Sequence, residues 1–562
     1  MKKIIFFIVL LIVIGCLGFV IYNSNKTTDS NTIIQQNQAE NKDFSASNEY
    51  ALTDNDFSKF DFSFLKFENE KKNKIYSPLS IKYTFKMLEE ATTGDAKKQI
   101  DSIINTYKLT EYKSNSNMAL ANAFFIKDTY KDNLKQDYID TLKTKYNAEI
   151  QFDSFENAKN INKWVKNNTL DLIPDLLDDS DVGELNLALV NALGIDMQWH
   201  HKFLKYYYED DKNITSNVEY NHAKLPDEEW AFSWIADEIL FDKKFDENQH
   251  ISSMKVYASL NNYDAVKDLG EENIRNTVYK DFRDWALGIG DYTEYNGKND
   301  EIFNNDFSDS GIKKAFDNWF DTGTTGYWEG DGKSYIDELN ENYGRVDYTT
   351  DFSIYIDDNV KVFAKDLDEY DGTILQYIGI MPIKEDLDKY IENTEFNDIK
   401  NLISNLKELK KENFKDGYLT YIHGYIPKFS FEYELSLKDD LKKMGVTDVF
   451  EQGKSNLSNM TDDDSLYIDS AKHKANIEFT QDGIKAAAAT MAGGAGAGDW
   501  YDYFIDMPTE NIDISFDKPY MFLIRDKKTG ETWFVGTVYE PLDIKDEPAS
   551  YTEEAWEERE EN

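Results

Sequence analysis

The sequence predicts an α+β protein in which helices surround a large mixed central sheet. Apolar residues recur at helical spacing early in the chain, as at Phe60 and Phe64. Residues 187–195 are apolar except for one asparagine and one glycine, which is typical of a strand buried on both faces. Strand-like segments return at 361–367 and 374–381. Helices followed by returning strands indicate that one sheet organises the domain.

The first 22 residues predict export and attachment to a membrane. A positive start is followed by an uncharged apolar run at residues 4–22, as a signal peptide or a short membrane anchor requires. The run contains Val13 to Cys16, which resembles a bacterial lipoprotein signal with the lipid attached to Cys16. The alternative is an uncleaved anchor helix in which Cys16 is one more apolar residue. Both interpretations place the chain at the extracellular face of the cell membrane.

Composition divides the rest of the chain into parts with different expected roles. Residues 23–54 are polar and predict a flexible tether, because they cannot repay the entropy of ordering. We expect residues 55–541 to form the folded domain. Within it, 204–351 is acidic and aromatic and predicts an inserted segment, and a charged helix is expected at about 395–412. Residues 542–562 predict an acidic, disordered tail.

The charge and cysteine content exclude several classes of function. The chain has 562 residues, of which 41% are hydrophobic, so it can bury one large core or two moderate ones. Its 62 basic residues stand against 106 acidic ones, a formal net charge of -44. This charge repels phosphate backbones, and no nucleic-acid partner is expected. The single cysteine excludes internal disulfides and thiolate metal sites in the mature domain.

The sequence lacks the motifs of a surface hydrolase, which is the alternative from another class of function. Neither G-x-S-x-G nor H-E-x-x-H occurs. The adjacent His200 and His201 are interpreted as the solvated end of a strand. Acidic stretches that contain glycine, such as Asp331-Gly332, lack EF-hand spacing. We therefore expect no catalytic residue, no metal and no cofactor.

A series of family motifs runs in order along the domain. The segments are Asn73–Ser80, Ala121–Phe125, Ile161–Val165, Leu189–Ala192 with Trp199 and Phe203, Gly445–Phe450, His473–Ala475, and Phe516–Arg525 through Gly536. In this order they resemble the serpin family over residues 55–541, outside the inserted segment. The resemblance implies the serpin fold, with a large mixed central sheet, surrounding helices and an exposed reactive-centre loop.

The resemblance also implies a buried polar cluster under the main sheet, formed by Ser77, Ser80, Asn191 and His473. Hydroxyl, amide and imidazole groups can exchange hydrogen-bond partners when strands separate. No buried donor is then left unsatisfied in either state. Judged without the surrounding motifs, His473 would be a satisfied core histidine.

The functional segment implied by the resemblance begins at a hinge after Gln481. The hinge and inserting loop comprise Gly483, Ile484, Ala486, Ala487, Ala488, Ala489 and Thr490. Small side chains suit a segment that must slide between two strands, and a glycine lets the backbone pivot. Gln481 stands where the family usually has Glu, and Ile484 where it usually has Thr or Ser. An uncharged β-branched residue can still enter a buried strand.

The position of the reactive bond depends on how the residues are counted. Family spacing from Gly483 implies Ala497-Gly498, whereas counting back from Pro519 implies a bond near Met507-Pro508. The loop is longer than the family pattern, and Tyr501, Tyr503 and Phe504 are further candidates. The small residues before Gly498 suit elastase-like or subtilisin-like enzymes, and the aromatic residues suit chymotrypsin-like ones.

The expected function is inhibition of peptidases outside the cell. The resemblance implies a monomeric suicide substrate, not an enzyme, whose partner is a serine or cysteine peptidase. Cleavage of the loop would be followed by its insertion into the sheet. The alternative is a non-inhibitory serpin that acts as a binding protein at the cell surface.

Overall fold

The structure is a computed structural model in which most of the folded domain is described. It describes residues 48–173, 175–183, 185–201, 203, 205–208, 216–219, 251–262, 270–293, 296–322, 346–348, 352–469, 471–484 and 509–542. The predicted signal or anchor, most of the tether and nearly all of the acidic tail therefore lie outside the described residues. Among the residues described, no helix combines the length and the apolar character needed to cross a membrane.

Helices occur throughout the described chain and confirm the helical patterns at its start. They are α1 (Lys59–Phe67), α2 (Pro78–Ala91), α3 (Gly94–Ile104), α4 (Gln136–Tyr146), α5 (Lys159–Asn167), α6 (Asp179–Val182), α7 (Glu271–Leu287), α8 (Asp309–Thr322), α9 (Leu387–Asn393), α10 (Phe396–Ser404) and α11 (Leu437–Lys443). Local sequence sets where they begin. Ser58 and Asp61 form a capping box at the start of α1, and Pro78 opens α2 behind the Ser77 cap.

Apart from several short 3-10 helices, strands make up the rest of the regular structure among the described residues. They are β1 (Lys74–Tyr76), β2 (Met118–Lys127), β3 (Ala148–Asp153), β4 (Leu187–Ile195), β5 (Met197–Gln198), β6 (Lys205–Tyr208), β7 (Ser216–Glu219), β8 (Ser253–Asn261), β9 (Val346–Tyr348), β10 (Ser353–Ile356), β11 (Val360–Tyr370), β12 (Thr373–Pro382), β13 (Lys407–Glu408), β14 (Leu419–Pro427), β15 (Phe429–Ser436), β16 (Lys472–Phe479), β17 (Gly483–Ile484), β18 (Thr509–Asp513), β19 (Tyr520–Asp526) and β20 (Thr532–Val538). The α+β class is confirmed, and β4 has the predicted bounds.

The charged helix predicted at 395–412 is wrong in its second half. A capping box at Glu395 starts α10, but the helix ends at Ser404. Lys407 then pairs with Ile354 of β10 as part of β13, so tertiary pairing overrides the helical propensity of these charged residues.

Strand pairing arranges these elements into several sheets. A seven-stranded antiparallel sheet has the order β1-β20-β19-β12-β11-β10-β13, and a four-stranded sheet has the order β18-β14-β8-β9. Two further sheets have the orders β3-β2-β4 and β15-β16-β17-β5, and β6 pairs with β7. Because β4 leads directly into β5 in the chain, the sheet of β4 and the sheet of β16 meet at these two strands.

Two large apolar clusters pack against the seven-stranded sheet. One joins α1, α2 and α3 to it through residues such as Phe60, Phe85 and Ile100. The other joins it to β8, β14 and β16, with Trp199, Phe479 and Phe522 buried inside. Aromatic side chains contribute much of this second core: Phe429 and Phe479 stack with ring centroids 4.8 Å apart.

The predicted insertion at 204–351 contains two strands that join the main domain. Within it, β8 pairs along its whole length with β14, and β9 pairs with β8. Helices α7 and α8 instead share an apolar cluster of their own, in which Phe282 stacks on Trp319. The part of the segment between β8 and β9 therefore has its own core.

Candidate functional site

The candidate site is a slot between the facing edges of β4 and β16. Across the described residues, β4 pairs with β2 on one side and β16 pairs with β15 on one side, but no strand pairing joins β4 to β16. Unpaired strand edges offer N–H and C=O groups to an added strand. An added strand could pair with both edges once β4 and β16 separate.

The predicted hinge enters the upper end of this slot. The chain turns back after Phe479, and the Thr480 N–H donates to the Gly483 carbonyl at 3.0 Å. Ile484 then pairs with Phe479 of β16 on one side and with Met197 of β5 on the other. Its side chain is 2% exposed. The first two hinge residues thus form a strand inside the sheet.

Residues after β5 hold the turn that leads into the hinge. The backbone N–H of Trp199 donates to the Asp482 carbonyl at 3.0 Å, and the N–H of Phe203 donates to the Gln481 carbonyl at 3.0 Å. The Trp199 indole N–H donates to the Thr480 carbonyl at 2.8 Å. Gln481 and Asp482 are both buried. This turn is fixed through its backbone, so glutamine at position 481 is compatible with the arrangement.

Two small cavities lie along the slot. The first lies beside Ile484 and is lined by Ile195 of β4, Ile477 of β16 and residues of the seven-stranded sheet. The second lies farther along, between Leu189 of β4, His473 of β16 and apolar residues of α2 and α11. Both cavities have predominantly apolar walls. The slot therefore contains incompletely filled space on its core side, where small side chains could be buried.

Three of the four predicted polar-cluster residues meet at the lower end of the slot. The backbone N–H of Ser77 donates to His473 Nε2 at 2.9 Å, and the N–H of Ser80 donates to Ser77 Oγ at 3.1 Å. All three residues are buried. Burial lowers the pKa of His473 to about 4, which keeps the imidazole neutral and able to accept this bond. Asn191 lies on β4, but its side chain is outside the described residues.

Contacts across the slot connect β16 to the chain around α5 and α6, and sequence reasoning missed them. The Asn476 side-chain amide donates to the Leu172 carbonyl at 3.0 Å. Lys472 pairs with Asp181 at 2.8 Å, and the Asn186 N–H donates to Asp469 at 2.8 Å. The partners are far apart in the sequence, so no local motif could have indicated them. We call these three pairs the cross-slot contacts.

The remaining predicted site residues fall outside the described residues or serve other contacts. Ala486, Ala487, Ala488, Ala489, Thr490, Ala497, Gly498 and Cys16 are not among the residues that the structure describes. His200 is half exposed and lies 3.0 Å from Asp368. Within the described ranges, no three metal-ligating side chains are grouped to hold an ion.

Comparisons with known proteins identify relatives along most of the chain. Residues 53–220 and 348–541 match the family model described as "Serpin (serine protease inhibitor)". Serpin B4 of Homo sapiens is 23% identical over 525 residues, covering 86% of this chain and 98% of that protein. Neuroserpin of Mus musculus is 24% identical over 501 residues, covering 85% and 89% respectively.

Other relatives match a shorter part or the fold alone. Serpin B10 of Rattus norvegicus is 36% identical over 136 residues, which are 24% of this chain and about a third (32%) of that relative's length. The native structure of Tengpin, a thermophilic serpin, has a TM-score of 0.50 and 17% sequence identity, covering 90% of this chain and all of that one. The family model matches more than half of the chain, in the region that forms the slot and its surroundings. The chain therefore belongs to the serpin family.

Proposed function

We propose that this serpin inhibits serine or cysteine peptidases as a suicide substrate whose cleaved loop inserts between β4 and β16. The observation that supports the proposal best is that Ile484 pairs with strands on both sides, with Phe479 of β16 and with Met197 of β5. The strand β17 ends at Ile484, beside a slot across which the described residues of β4 and β16 form no strand pairing. Cleavage of the loop would free the chain after Ile484 to continue the strand.

Continuation of the observed register predicts where each loop residue would lie. Without a bulge, each step along the loop moves one residue back along both β4 and β16. Ala486 would then lie between Ile195 and Ile477, at the first cavity. Thr490 would lie between Asn191 and His473, at the second cavity. The small residues of the hinge therefore match the two unfilled spaces.

The alternation of β16 predicts which loop side chains would be buried. His473, Ala475, Ile477 and Phe479 face the core, and the residues between them are half-buried. Their predicted partners at 490, 488, 486 and 484 would face the core as well. Lys485 would face the opposite side of the sheet, where its charge can reach solvent. The only charged residue of the hinge therefore falls on the side that tolerates it.

The length of the slot favours Ala497-Gly498 as the reactive bond. The same register places residue 494 opposite Leu187, where β4 begins. Only residues 495–497 would then extend beyond the sheet. An enzyme attached to residue 497 would therefore be drawn close to the end of the sheet at which β4 begins. A cut after Tyr501 or Phe504 would leave a longer and slack segment between the inserted strand and the attached enzyme.

The chemical step belongs to the peptidase. Its serine oxygen or cysteine sulfur attacks the carbonyl carbon of Ala497, the C–N bond to Gly498 breaks, and the released amine takes up a proton. Insertion of roughly ten residues at ~0.5–1.5 kcal/mol per hydrogen bond gains on the order of 10 kcal/mol. This is comparable to the stability of a domain, and it can distort the oxyanion hole that deacylation requires.

We further propose that the inhibitor acts as a monomer at the outer surface of the cell. The apolar segment at residues 4–22 supports export, and Cys16 is the proposed site of lipid attachment. The alternative of an uncleaved anchor helix gives the same location. Replacement of Cys16 by serine should abolish lipid labelling, whereas membrane binding without any labelling of the original chain would favour the anchor helix.

The test of inhibition uses an elastase-like peptidase. We expect an SDS-resistant adduct and a released fragment whose new N-terminus is Gly498. Ala488→Glu should give cleavage without adduct, because its carboxylate would have to be buried in the sheet. Ala489→Glu is the matched control, since position 489 would face outward near Lys474 and should keep inhibition. Equal loss of the adduct in both variants would contradict the register, and cleavage of the original chain without adduct would favour a non-inhibitory binding protein.

A further inference from the structure

The hinge turn, defined as Thr480–Gly483, is held by backbone donors on both sides of a histidine pair. Trp199 donates its N–H to a carbonyl of this turn at 3.0 Å, and Phe203 donates its N–H to another at 3.0 Å. His200 and His201 lie between these two donors in the chain. A contact that fixes the histidines to the body of the protein therefore also positions both donors.

A β-bulge in β11 supplies this contact. Asp366 pairs with Gln376 of β12 and Glu369 pairs with Ile374, so two residues of β11 oppose one residue of β12 between these pairs. A bulge interrupts the ladder of hydrogen bonds and re-aims the side chains beside it. Asp368 lies in this bulge, so its side chain need not follow the regular alternation of the strand.

His200 is attached to the bulge through both its backbone and its ring. Its backbone N–H donates to the Asp366 carbonyl at 3.1 Å, and its Nδ1 lies 3.0 Å from Oδ1 of Asp368. The ring of His201 packs against the His200 ring with the centroids 4.5 Å apart. The His200 side chain is half-exposed. The contact with Asp368 can therefore exchange protons with solvent.

Carboxylates dominate the charge around His200. Asp366 is already paired with Lys527 at 2.5 Å, so Asp368 supplies the negative charge in direct contact with the ring. Histidine side chains change charge between pH 5 and 8. Protonation of His200 would therefore convert this hydrogen bond into an ion pair, and partial exposure keeps the gain small. The other titratable groups on the neighbouring elements are His201, Glu369, Tyr370, Asp196 and Asp482.

We propose that His200 and Asp368 form a pH-sensitive anchor for the hinge turn, in which His200 is a positioning residue for insertion of the loop. Protonation of His200 tightens the anchor, which keeps Trp199 and Phe203 against the turn and Ile484 in its paired position. A hinge that stays paired can continue into the slot sooner after cleavage than one that must first re-enter. The inference rests on the proposed inhibition, which requires this insertion.

Hydrogen exchange of the uncleaved chain tests the anchor without any peptidase. The readout is a peptide that contains Thr480, whose N–H donates to the Gly483 carbonyl at 3.0 Å and is protected while the turn is closed. His200→Gln keeps a side-chain donor but carries no charge. Its exchange rate is divided by that of the original chain at the same pH, so the intrinsic pH dependence of exchange cancels. We expect a ratio of about one near pH 8 and about two to five near pH 5.5.

Matched variants identify the groups that titrate. Asp368→Asn should behave like His200→Gln, because it removes the partner charge. His200→Arg is charged at both pH values and should keep exchange slow at both. His201→Gln and His423→Gln, the latter at an exposed position of β14, should follow the original chain. A ratio for His200→Gln that does not change with pH, or a change that appears only in His201→Gln, would overturn the proposal.

Peptidase measurements connect the anchor to insertion. The number of inhibitor molecules consumed per trapped enzyme should be higher for His200→Gln than for His423→Gln near pH 5.5, and the two variants should agree near pH 8. An effect on exchange with no difference in this number would contradict the role of His200 in insertion. Failure of the original chain to form any adduct would overturn the proposed inhibition together with that role, whereas the exchange ratio would still report on the anchor itself.

Discussion

Lys82 is buried between two carboxylates that come from distant parts of the chain. Its Nζ lies 2.8 Å from Asp61 and 2.8 Å from Glu531, and Tyr107 donates to Glu531 at 2.7 Å. Burial alone would lower the pKa of Lys82, but the two negative charges raise it above its usual value. The ammonium group therefore compensates two carboxylates that have no access to solvent.

The first prediction concerns this buried ion cluster. Lys82→Met should lower the free energy of unfolding by about 3–5 kcal/mol, because it leaves buried carboxylates without their cation. Urea denaturation measures the change. Lys86→Met on the same helix is the control, since Lys86 is only partly buried and its ion pair with Glu89 is partly exposed. A similar loss in both variants would contradict the role given to the cluster.

The second prediction concerns His473 and pH. Its pKa of about 4 in the folded protein lies below the usual 6.5, because burial disfavours the charged ring. The unfolded chain therefore binds more protons between these values, and stability should fall as pH decreases from 6.5 towards 4, by on the order of 3 kcal/mol. In His473→Asn this part of the pH dependence should disappear. His423→Gln, at an exposed position of β14, should keep it, and parallel curves for the original chain and His473→Asn would refute the assignment.

At the scale of elements, the sequence could predict the strands of the slot but not the contacts that close it. The apolar run of β4 and the order of family motifs were sufficient to place Gly483 after β16. The insertion of Ile484 depends on Met197 and on the N–H groups of Trp199 and Phe203, more than 280 residues away in the sequence. Such tertiary pairing leaves no local pattern in the sequence. The same reason explains why the helix predicted at 395–412 ends early, since part of that range pairs with β10 instead.

The third prediction concerns the cross-slot contacts. The bond from Asn476 to the Leu172 carbonyl ties β16, which borders the proposed insertion position, to the chain after α5. Asn476→Ala should therefore lower native stability by about 1 kcal/mol and speed insertion, so that fewer inhibitor molecules are turned over as substrate. Asn405→Ala removes a similar side-chain bond, to the Asn401 carbonyl at the end of α10. It should leave the stoichiometry of inhibition unchanged, and increased substrate turnover by Asn476→Ala would contradict this prediction.

At the scale of the whole molecule, the proposed insertion would use the cavities along the slot and the strand edges that the described residues of β4 and β16 leave unpaired. The two cavities and the free edges of β4 and β16 lie along one line that begins at Ile484. Insertion would require β4 and β16 to separate, and the inserted side chains would then pack against the apolar residues that line these cavities. Cleavage of the loop would thus allow a single strand to complete the sheet of β4 and the sheet of β16 as one.

The last prediction follows from this completion. After the loop is cut by a peptidase that is not trapped, about ten newly paired residues should raise the thermal midpoint by on the order of 10–20 °C. Calorimetry of the intact and cleaved chains measures the shift. Cleaved Ala488→Glu should show a much smaller rise, since its carboxylate would oppose insertion at the core-facing position between Leu193 and Ala475. An unchanged midpoint in the cleaved original chain would mean that the loop does not insert, and the non-inhibitory binding protein would then be the better account of this serpin.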